Sequence, residues 1–458
     1  MTMQQFGFYR NTSPKRQEKR HRASDPSLRY QHGIRQDMLI LLILLCTANA
    51  SAQSRRLTFG ELRRMAQEEP ERVSCVYRAY PTPTGNYTPV PKGYNPVFLS
   101  HYGRHGSRFL TEENRYTYLL QELENHALTD MGKEMLEGTR TAWQQAKGRG
   151  GDLTQTGEEQ HAQIAHRMFR HFPSLFRKEH HVRVFSSTSR RCMMSMMAFC
   201  DRLKECAPRL TLHKDVCEGN MRFMSYTTPE QRALTKDSSD LACQAYLNFR
   251  QKTARPLPFL SRIFLHPDEI AEPYRFMEQM YFLAQDMQNC GRPTELLRFF
   301  TADDLLSVWL IKNCEMYLAN GDSPLSRGIP AQCADSLLSH IIQDAEEALG
   351  TKSHSVTLRF GHDTQLLKLL TRMGITECCP AVQRTDDICI FWQDFHNAPM
   401  AANLQLIFYR NRKGDILLRL LLNEEEVHLA LPSSTAPYYP WEEVKKHWKL
   451  TGHQATTF

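Results

Sequence analysis

The sequence predicts an α/β fold, in which a central, mainly parallel sheet is flanked by helices and interrupted by a mostly α-helical inserted domain. Apolar residues alternate in short runs near residues 97, 182 and 356, the period-two pattern of strands, and a helical pattern follows each run. Residues 201–350 show mostly helical patterns, broken by several prolines. Strand patterns therefore lie on both sides of the helical stretch, and strands that alternate with helices indicate a parallel sheet.

This order predicts four segments along the 458 residues. They are a leader with a signal peptide over 1–52, the first part of the α/β domain over 53–200, the helical insert over 201–350 and the second part of the α/β domain over 351–458. The composition, with 41% hydrophobic and 23% charged residues, is typical of a globular protein with ample material for a core.

The leader has the features of a secretion signal. Residues 38–46, MLILLILLC, form a short apolar stretch that Arg35 precedes, and small residues two apart end at Ala52, where cleavage is expected. Nine apolar residues are too few to span a bilayer comfortably, so we expect no stable membrane span after removal of the signal. The predicted location is the periplasm or the outside of the cell. The start lies at Met1 or at Met38. Met38 is favoured because the stretch of 37 residues before it is too long and too polar for the N-terminal region of a signal peptide.

Most of the formal charge of +7 belongs to this leader. Residues 1–52 hold eight basic and three acidic residues, which leaves 49 basic and 47 acidic residues, or +2, for the rest of the chain. A nucleic-acid partner is therefore not predicted, since such proteins carry a marked basic excess.

Thirteen cysteines are many for a cytosolic enzyme, and twelve remain once Cys46 is removed with the signal. No C-x-x-C pair is present, which disfavours a zinc site. Because export permits disulfides, bridges are the preferred interpretation, although their pairing cannot be deduced from sequence.

The first strand is expected over Val97–His101, at the end of an extended stretch rich in Pro, Tyr and Gly. A helix over 128–146 follows and ends at a glycine-rich break over 148–151. The next helix begins near LTQTGEEQ, where Thr156 and Glu159 have the spacing of a capping box.

The later elements repeat this strand-then-helix order. HHVRVFSST predicts a second strand, and the methionine-rich helix after it is interpreted as core filler. SVTLRFGHD predicts a third strand, followed by a helix from Thr364. The stretches 401–410 and 415–423 predict a hairpin.

Polar, mostly cationic residues follow each of the three strands that precede helices. Ligands bind beyond the carboxyl ends of the strands in open α/β sheets, so these side chains are expected to meet there. Several cations beside helix N-termini make a site for a dianionic phosphate. The residues concerned are, in chain order, Arg104, His105, Arg108, Arg190, Arg191, His362 and Asp363.

RHGSR at 104–108 and GHDT at 361–364 resemble the histidine acid phosphatases, branch 2 of the histidine phosphatase superfamily. GDLTQTGEEQ is similar to the family's Leu-Thr-x-x-Gly-x-x-Gln helix start. VFSSTSRRCMMS is similar to its Ser-Thr-x-x-x-Arg segment, which places the third arginine at Arg191 rather than Arg190. TLRFGHDTQLL and CEMYLANGDSP also resemble bacterial phytases and multiple inositol polyphosphate phosphatases, and the similarity runs from about residue 95 to 430.

The resemblance implies that His105 is a nucleophile that forms a phosphohistidine and that Asp363 is the proton donor. It also implies that no metal or cofactor is needed, because arginines supply the positive charge. The substrate would be a small phosphomonoester, phytate or another inositol polyphosphate. The implied phosphate-binding residues are Arg104, Arg108, Arg191 and His362.

Two departures from the family pattern stand out. Leu110 occupies a position where the family often has proline, which removes no chemistry. The inositol polyphosphate phosphatases commonly carry His-Ala-Glu where this chain has His362, Asp363 and Thr364, so the proton donor is nearer to that of the acid phosphatases and His-Asp phytases.

Several alternatives stay open at this point. The main alternatives are a general acid phosphatase acting on sugar phosphates and a non-catalytic protein that binds a phospholigand. Further alternatives are a metal-dependent His-Asp phosphohydrolase and a cofactor-dependent mutase. Glu315 and Asn320 are interpreted as surface or helix-cap residues. Arg190, His101 and the lysines or arginines of the insert are candidates for further positive charge around a polyanionic substrate. The oligomeric state is not predicted.

Overall fold

A sheet of eight strands forms the centre of the protein in this computed structural model, which describes residues 56–177, 181–292 and 295–451. The predicted leader and signal peptide lie outside the described residues. The strands are β1 Asn95–Arg104, β2 His181–Ser186, β3 Thr211–Asp215, β4 Val356–Gly361, β5 Asn403–Arg410, β6 Ile416–Leu422, β7 Glu425–Val427 and β8 Tyr439–Pro440.

The sheet has a parallel half and an antiparallel half. The strand order is β3-β2-β4-β1-β5-β6-β7, with β8 paired to β6. The strands β3, β2, β4 and β1 run parallel, whereas β5 is antiparallel to β1 and starts the antiparallel half. Arg104 pairs with Gly361 and Ser186 pairs with Phe360, so β1, β2 and β4 end at the same edge. The predicted α/β class is confirmed, but the sheet is mixed rather than mainly parallel, because the chain after β4 adds strands through antiparallel hairpins and four of the seven strand pairings are antiparallel.

Helices surround this sheet and make up most of the chain between β3 and β4. The described part of the chain contains seventeen α-helices. They are α1 Phe59–Glu68, α2 Asn114–Asn125, α3 Asp130–Ala146, α4 Gln155–His171, α5 Arg190–Cys206, α6 Met221–Met224, α7 Pro229–Lys236, α8 Leu241–Thr253, α9 Pro256–Ile263, α10 Pro273–Asp286, α11 Ala302–Asn320, α12 Ile329–Gln332, α13 Asp335–Thr351, α14 Asp363–Met373, α15 Ile388–Phe391, α16 Asp394–Asn397 and α17 Trp441–Thr451.

The core lies on both faces of the sheet. All six residues of β4 are buried, as expected for a central strand covered on two sides. One face of the sheet, with Val184 and Phe360, packs against α4 and α5. The opposite face, with Tyr102 and Phe408, joins a larger apolar cluster that includes the long helix α11. The described residues form one compact unit, and the segment boundaries near 200 and 350 stay predictions.

Local sequence signals placed most elements, with small corrections. Helix α4 begins after Thr154, whose side chain accepts the Gly157 N–H at 3.3 Å, so Thr154 and not Thr156 is the N-cap. Helix α14 begins at Asp363, one residue earlier than predicted. Strand β3 was not predicted, because its sequence, TLHKD, is polar and largely exposed at the edge of the sheet.

The predicted disulfides are not formed in the described residues. Most of these cysteines are buried, where a thiol packs as a small apolar group, so the even count of twelve does not reflect a set of bridges. The free thiols include Cys75, Cys192, Cys200, Cys206, Cys217, Cys243, Cys290, Cys314, Cys333, Cys379 and Cys389.

Within the described part of the chain, none of the helices combines the length and the apolar character that a membrane crossing requires.

Candidate active site

The loop that follows β1 crosses the edge where the parallel strands end. The N–H of His105 donates to the carbonyl of Gly361, the last residue of β4, at 3.0 Å. The carbonyl of His105 accepts the N–H of Ala401 at 2.9 Å, just before β5. These two backbone bonds fix the residue against both neighbouring strands of β1.

The imidazole of His105 is buried, and its Nδ1 lies 3.0 Å from the carbonyl oxygen of Gly106. A carbonyl can only accept, so Nδ1 carries the proton and Nε2 keeps its lone pair. Burial, together with the nearby guanidinium groups of Arg104 and Arg108, holds the pKa of His105 well below its usual range. The ring is therefore neutral at neutral pH, with a lone pair on Nε2.

Arg104 connects this loop to the predicted proton donor. Its side chain is 0% exposed, and its Nη2 lies 2.8 Å from Oδ2 of Asp363. Its Nη1 donates to the backbone carbonyls of Val76 and, at 2.8 Å, Ala398. Burial lowers the pKa of Arg104 to about 10, which still leaves the group charged at neutral and acid pH.

Asp363 is the first residue of α14, so the N-terminus of that helix favours its ionised form. Its Oδ1 accepts the N–H of Thr364 at 2.8 Å, and the side chain keeps an exposed fraction of 18%. Burial favours the neutral carboxyl, but Arg104 and His362 outweigh it and lower the pKa of Asp363.

Arg191 and His362 meet beside His105, the predicted nucleophile. Nη2 of Arg191 lies 3.4 Å from Nδ1 of His362, and Nε2 of His362 lies 3.2 Å from the hydroxyl of Ser187. Because a guanidinium can only donate, Nδ1 of His362 accepts and its Nε2 carries the proton. Burial and the charge of Arg191 lower the pKa of His362 to about 4. The centroid of its ring is 5.8 Å from that of His105.

Arg108 completes the predicted set. It is buried, its Nη1 donates to the carbonyl of Phe109 at 2.9 Å, and its guanidinium lies over the ring of Tyr77, 5.1 Å from the centroid. The Nε of Arg108 and the Nε of Arg191 are buried with no hydrogen-bond partner among the described residues. Buried donors without partners are rare in proteins, and several such groups around one imidazole suit the oxygens of a phosphoryl group.

A cavity of about 300 Å³ opens from Arg108 and Asp363 towards helix α11. Glu315 and Asn320, expected from the sequence to be surface or cap residues, both lie in its wall. Lys312, one turn before Glu315, also lines the cavity; it belongs to the basic residues of 201–350 from which further charge was expected, although it was not singled out. The lining residues include Val76, Tyr77, Arg108, Lys312, Glu315, Met316, Asn320, Asp363 and Thr364.

Two residues considered as further sources of charge lie elsewhere. Arg190 has a side chain that is 71% exposed and pairs with Asp152 at 3.0 Å. His101 is buried under the sheet between the rings of Phe199 and Phe360, where burial lowers its pKa to about 3. Neither residue is among those that line the cavity. The choice of Arg191 over Arg190 agrees with the contact between Arg191 and His362.

The described residues contain no group of three or more His, Cys, Asp or Glu side chains with the arrangement of a metal site.

The sequence model of the histidine phosphatase superfamily (branch 2) matches residues 103–423 of this chain. The chain is 24% identical over 331 residues to human multiple inositol polyphosphate phosphatase 1. This match covers 65% of the chain and 66% of the human protein, so the chain spans just under two thirds of that relative.

The fold is similar to solved structures at lower identity. The structure of Bifidobacterium longum multiple inositol polyphosphate phosphatase in complex with inositol hexasulfate superposes with a TM-score of 0.69 at 17% identity, covering 82% of this chain and 97% of that one. The phytase from D. castellii superposes with a TM-score of 0.65 at 11% identity, covering 85% of each chain.

Proposed function

Because the chain belongs to the histidine phosphatase superfamily (branch 2), we propose that it hydrolyses phosphomonoesters through a phosphohistidine formed on His105. The sequence-based prediction of the family is confirmed by the match to the family model, and this family supports the proposed phosphatase activity. The observation that supports the mechanism is the meeting of a neutral imidazole, unpaired guanidinium N–H groups and the carboxyl of Asp363 at one edge of the sheet.

In the first step, the lone pair on Nε2 of His105 attacks phosphorus while the bond to the leaving oxygen breaks. The proton of a neutral Asp363 passes to that oxygen, so the product leaves as an alcohol. In the second step, water attacks phosphorus and gives its proton to Asp363. The N–P bond then breaks, and inorganic phosphate leaves.

Positive charge around the phosphoryl oxygens stabilises the transition state. Arg104, Arg108 and Arg191 each have a buried Nε without a hydrogen-bond partner among the described residues, and we assign all three guanidinium groups to this role. Arg104 also contacts Asp363 and donates to two backbone carbonyls. We therefore propose two roles for it, binding the phosphoryl group and holding the carboxyl of Asp363 in place. We assign His362 to the same role on the basis of the family resemblance; its Nε2 proton is directed to the hydroxyl of Ser187.

We propose inositol polyphosphates such as phytate as substrates. The human relative and the B. longum protein are both named multiple inositol polyphosphate phosphatases. The cavity beyond Arg108 offers space for a ring, with Lys312 as a further cation. A second candidate is a general acid phosphatase acting on sugar phosphates. It is favoured because Lys312 is already paired with Glu315 and, at 3.5 Å, with Glu278.

We propose further that the protein is exported to the periplasm or secreted, on the basis of the leader over 1–52. Expression in the native host, cell fractionation and N-terminal sequencing should find the protein outside the cytoplasm with a cleaved N-terminus. A cytoplasmic protein that retains its leader would contradict export without affecting the proposed chemistry.

The direct test of the function is phosphate release from a panel of phosphomonoesters, combined with trapping of the intermediate. Enzyme mixed with substrate and denatured in alkali should carry phosphate on His105, because phosphohistidine is labile in acid. Turnover should be unchanged after prolonged treatment with EDTA. Loss of activity that added metal restores would contradict the mechanism and favour a metal-dependent phosphohydrolase.

A further inference from the structure

Ser107, between the nucleophile and Arg108, is held by buried side chains from two distant parts of the chain. Its N–H donates to Oε1 of Gln160 at 2.9 Å, and Nε2 of Gln160 donates back to its hydroxyl at 2.9 Å. The hydroxyl of Ser107 in turn donates to Oδ1 of Asn289 at 2.7 Å. The turn that carries Arg108 is therefore fixed by side chains, and not by the strand alone.

Asn289 extends this network to a carboxyl group. Its Nδ2 donates to Oδ1 of Asp286 at 3.0 Å and to the carbonyl of Tyr77 at 3.0 Å. Asp286 is the last residue of α10 and is 0% exposed. A continuous chain of hydrogen bonds thus joins Asp286, through Asn289, to Ser107.

The second oxygen of Asp286, Oδ2, is buried without a hydrogen-bond partner among the described residues, and so is Nε of Arg108. The two groups act on each other electrostatically: Arg108 favours the ionised carboxyl, and Asp286 favours the charged guanidinium. An isolated buried charge is costly, so each group offsets part of the cost of burying the other.

Asp286 can change its charge in the acid range. Burial raises the pKa of Asp286 to about 6, against the opposing effect of Arg108 and of the hydrogen bond from Asn289. Apart from these two, the ionisable or polar groups that face it are Arg115, Tyr116, Cys290 and the N–H of Leu110.

We propose that Asp286 is a positioning residue that sets the orientation and the effective charge of Arg108. When ionised, it neutralises part of the charge that Arg108 offers to a phosphate; when neutral, it leaves that charge to the substrate. Binding of a phosphate-like dianion should then weaken as the pH rises through the titration of Asp286. This inference rests on the proposed function, because it assumes that Arg108 binds the phosphoryl group.

Sulfate is the probe of choice, because it stays dianionic over about pH 4.5 to 7.5 and does not react. Its dissociation constant should be measured by calorimetry for the wild type and Asp286→Asn, which keeps the shape and removes the charge. Near pH 7.5 the variant should bind sulfate about three- to tenfold more tightly than the wild type, and near pH 4.5 about equally. Asp304→Asn is a matched control, since Asp304 is also buried but pairs with Arg262, and it should behave as the wild type.

Identical pH dependence in the wild type and in Asp286→Asn would overturn the inference, as would weaker binding by the variant at every pH. If Asp286→Asn does not fold, Asn289→Ala provides the test. Loss of a hydrogen bond that favours the ionised carboxyl should move the midpoint of the pH dependence to higher pH, and an unchanged midpoint would overturn the inference. Phosphate release by the wild type, assayed separately, tests the proposed function itself.

Discussion

His105 and Asp363 lie near the same guanidinium groups, but the proposed mechanism requires a neutral imidazole on one and a protonated carboxyl on the other. Burial and the guanidinium groups lower the pKa of His105 and keep it neutral, as the proposed nucleophile must be. The same guanidinium groups favour the ionised form of Asp363, which the proposed first step cannot use. A bound phosphate dianion partly cancels those cations and adds a negative charge next to Asp363. Substrate binding should therefore raise the pKa of this carboxyl, and activity should fall as the pH rises above that value.

The first prediction concerns the nucleophile. His105→Ala removes the only atom proposed to bond to phosphorus, so kcat should fall by about 10³-fold or more while the protein stays folded. Activity and the melting temperature should be measured together, with His213→Ala on the exposed edge strand as the control. A folded His105→Ala protein with a tenth of the wild-type rate would contradict the assignment.

The second prediction separates proton donation from placement. Asp363→Asn should slow alkyl phosphates by about 10²- to 10⁴-fold, because an alkoxide leaves poorly without a proton. It should slow p-nitrophenyl phosphate much less, since that leaving group needs little protonation. Steady-state kcat for both substrate types decides the matter. Equal slowing would mean that Asp363 only holds Arg104 in place.

At the scale of elements, sequence patterns located the strands that end in functional side chains. Residues such as Val182, Val184 and Phe360 alternate in the sequence, and the polar residues that follow them converge because parallel strands end at one edge. The positions of Lys312 and Asp286 could not be predicted in this way. They lie on α11 and α10, between β3 and β4, and the approach of these helices to the loop after β1 depends on tertiary packing and not on local pattern.

The same packing brings the start of α4 against the loop after β1. A Cβ on Gly157 would lie 2.2 Å from the carbonyl oxygen of Ser107, and one on Gly106 would lie 2.6 Å from the carbonyl oxygen of Gly157. Both neighbours are backbone atoms, which cannot move without displacing the site. Two glycines at this crossing allow helix and loop to touch.

The third prediction follows from this contact. Gly157→Ala should destabilise the protein by about 1–3 kcal/mol and lower kcat/KM by about tenfold or more, because a displacement of the loop moves His105 and Arg108. Gly350→Ala is the matched control, since it lies in α13 with no atom within 4 Å of an added Cβ. That change should leave activity unaltered and raise stability by about 0.5–1 kcal/mol. Thermal melts and phosphate-release assays of both variants make the comparison, and a Gly157→Ala enzyme with wild-type kinetics would show that the crossing tolerates the extra atom.

At the scale of the whole molecule, the positive charge available to a substrate is concentrated at one site and is not spread over the surface. The chain after residue 52 carries only +2, so no broad basic surface is available to attract a polyanion. Positive charge is instead gathered around one imidazole at the edge of the sheet, with Lys312 as the next cation along the cavity. A substrate with several phosphates must therefore obtain its binding energy locally, within the reach of these few groups.

The last prediction tests this consequence on the substrate. If phytate is the substrate, its kcat/KM at low salt should exceed those of glucose 1-phosphate and p-nitrophenyl phosphate, because several of its phosphates meet cations at once. Its KM should rise with ionic strength more steeply than theirs, since more charge pairs are screened. Lys312→Met should reduce this advantage of phytate. It should change kcat/KM for p-nitrophenyl phosphate by less than about threefold, because the single phosphate of that substrate binds at the arginines and not at Lys312. Equal salt dependence for all three substrates, with no preference for phytate, would instead identify a general acid phosphatase. In that case the ion pairs of Lys312 with Glu278 and Glu315 would neutralise its charge, and it would not bind substrate.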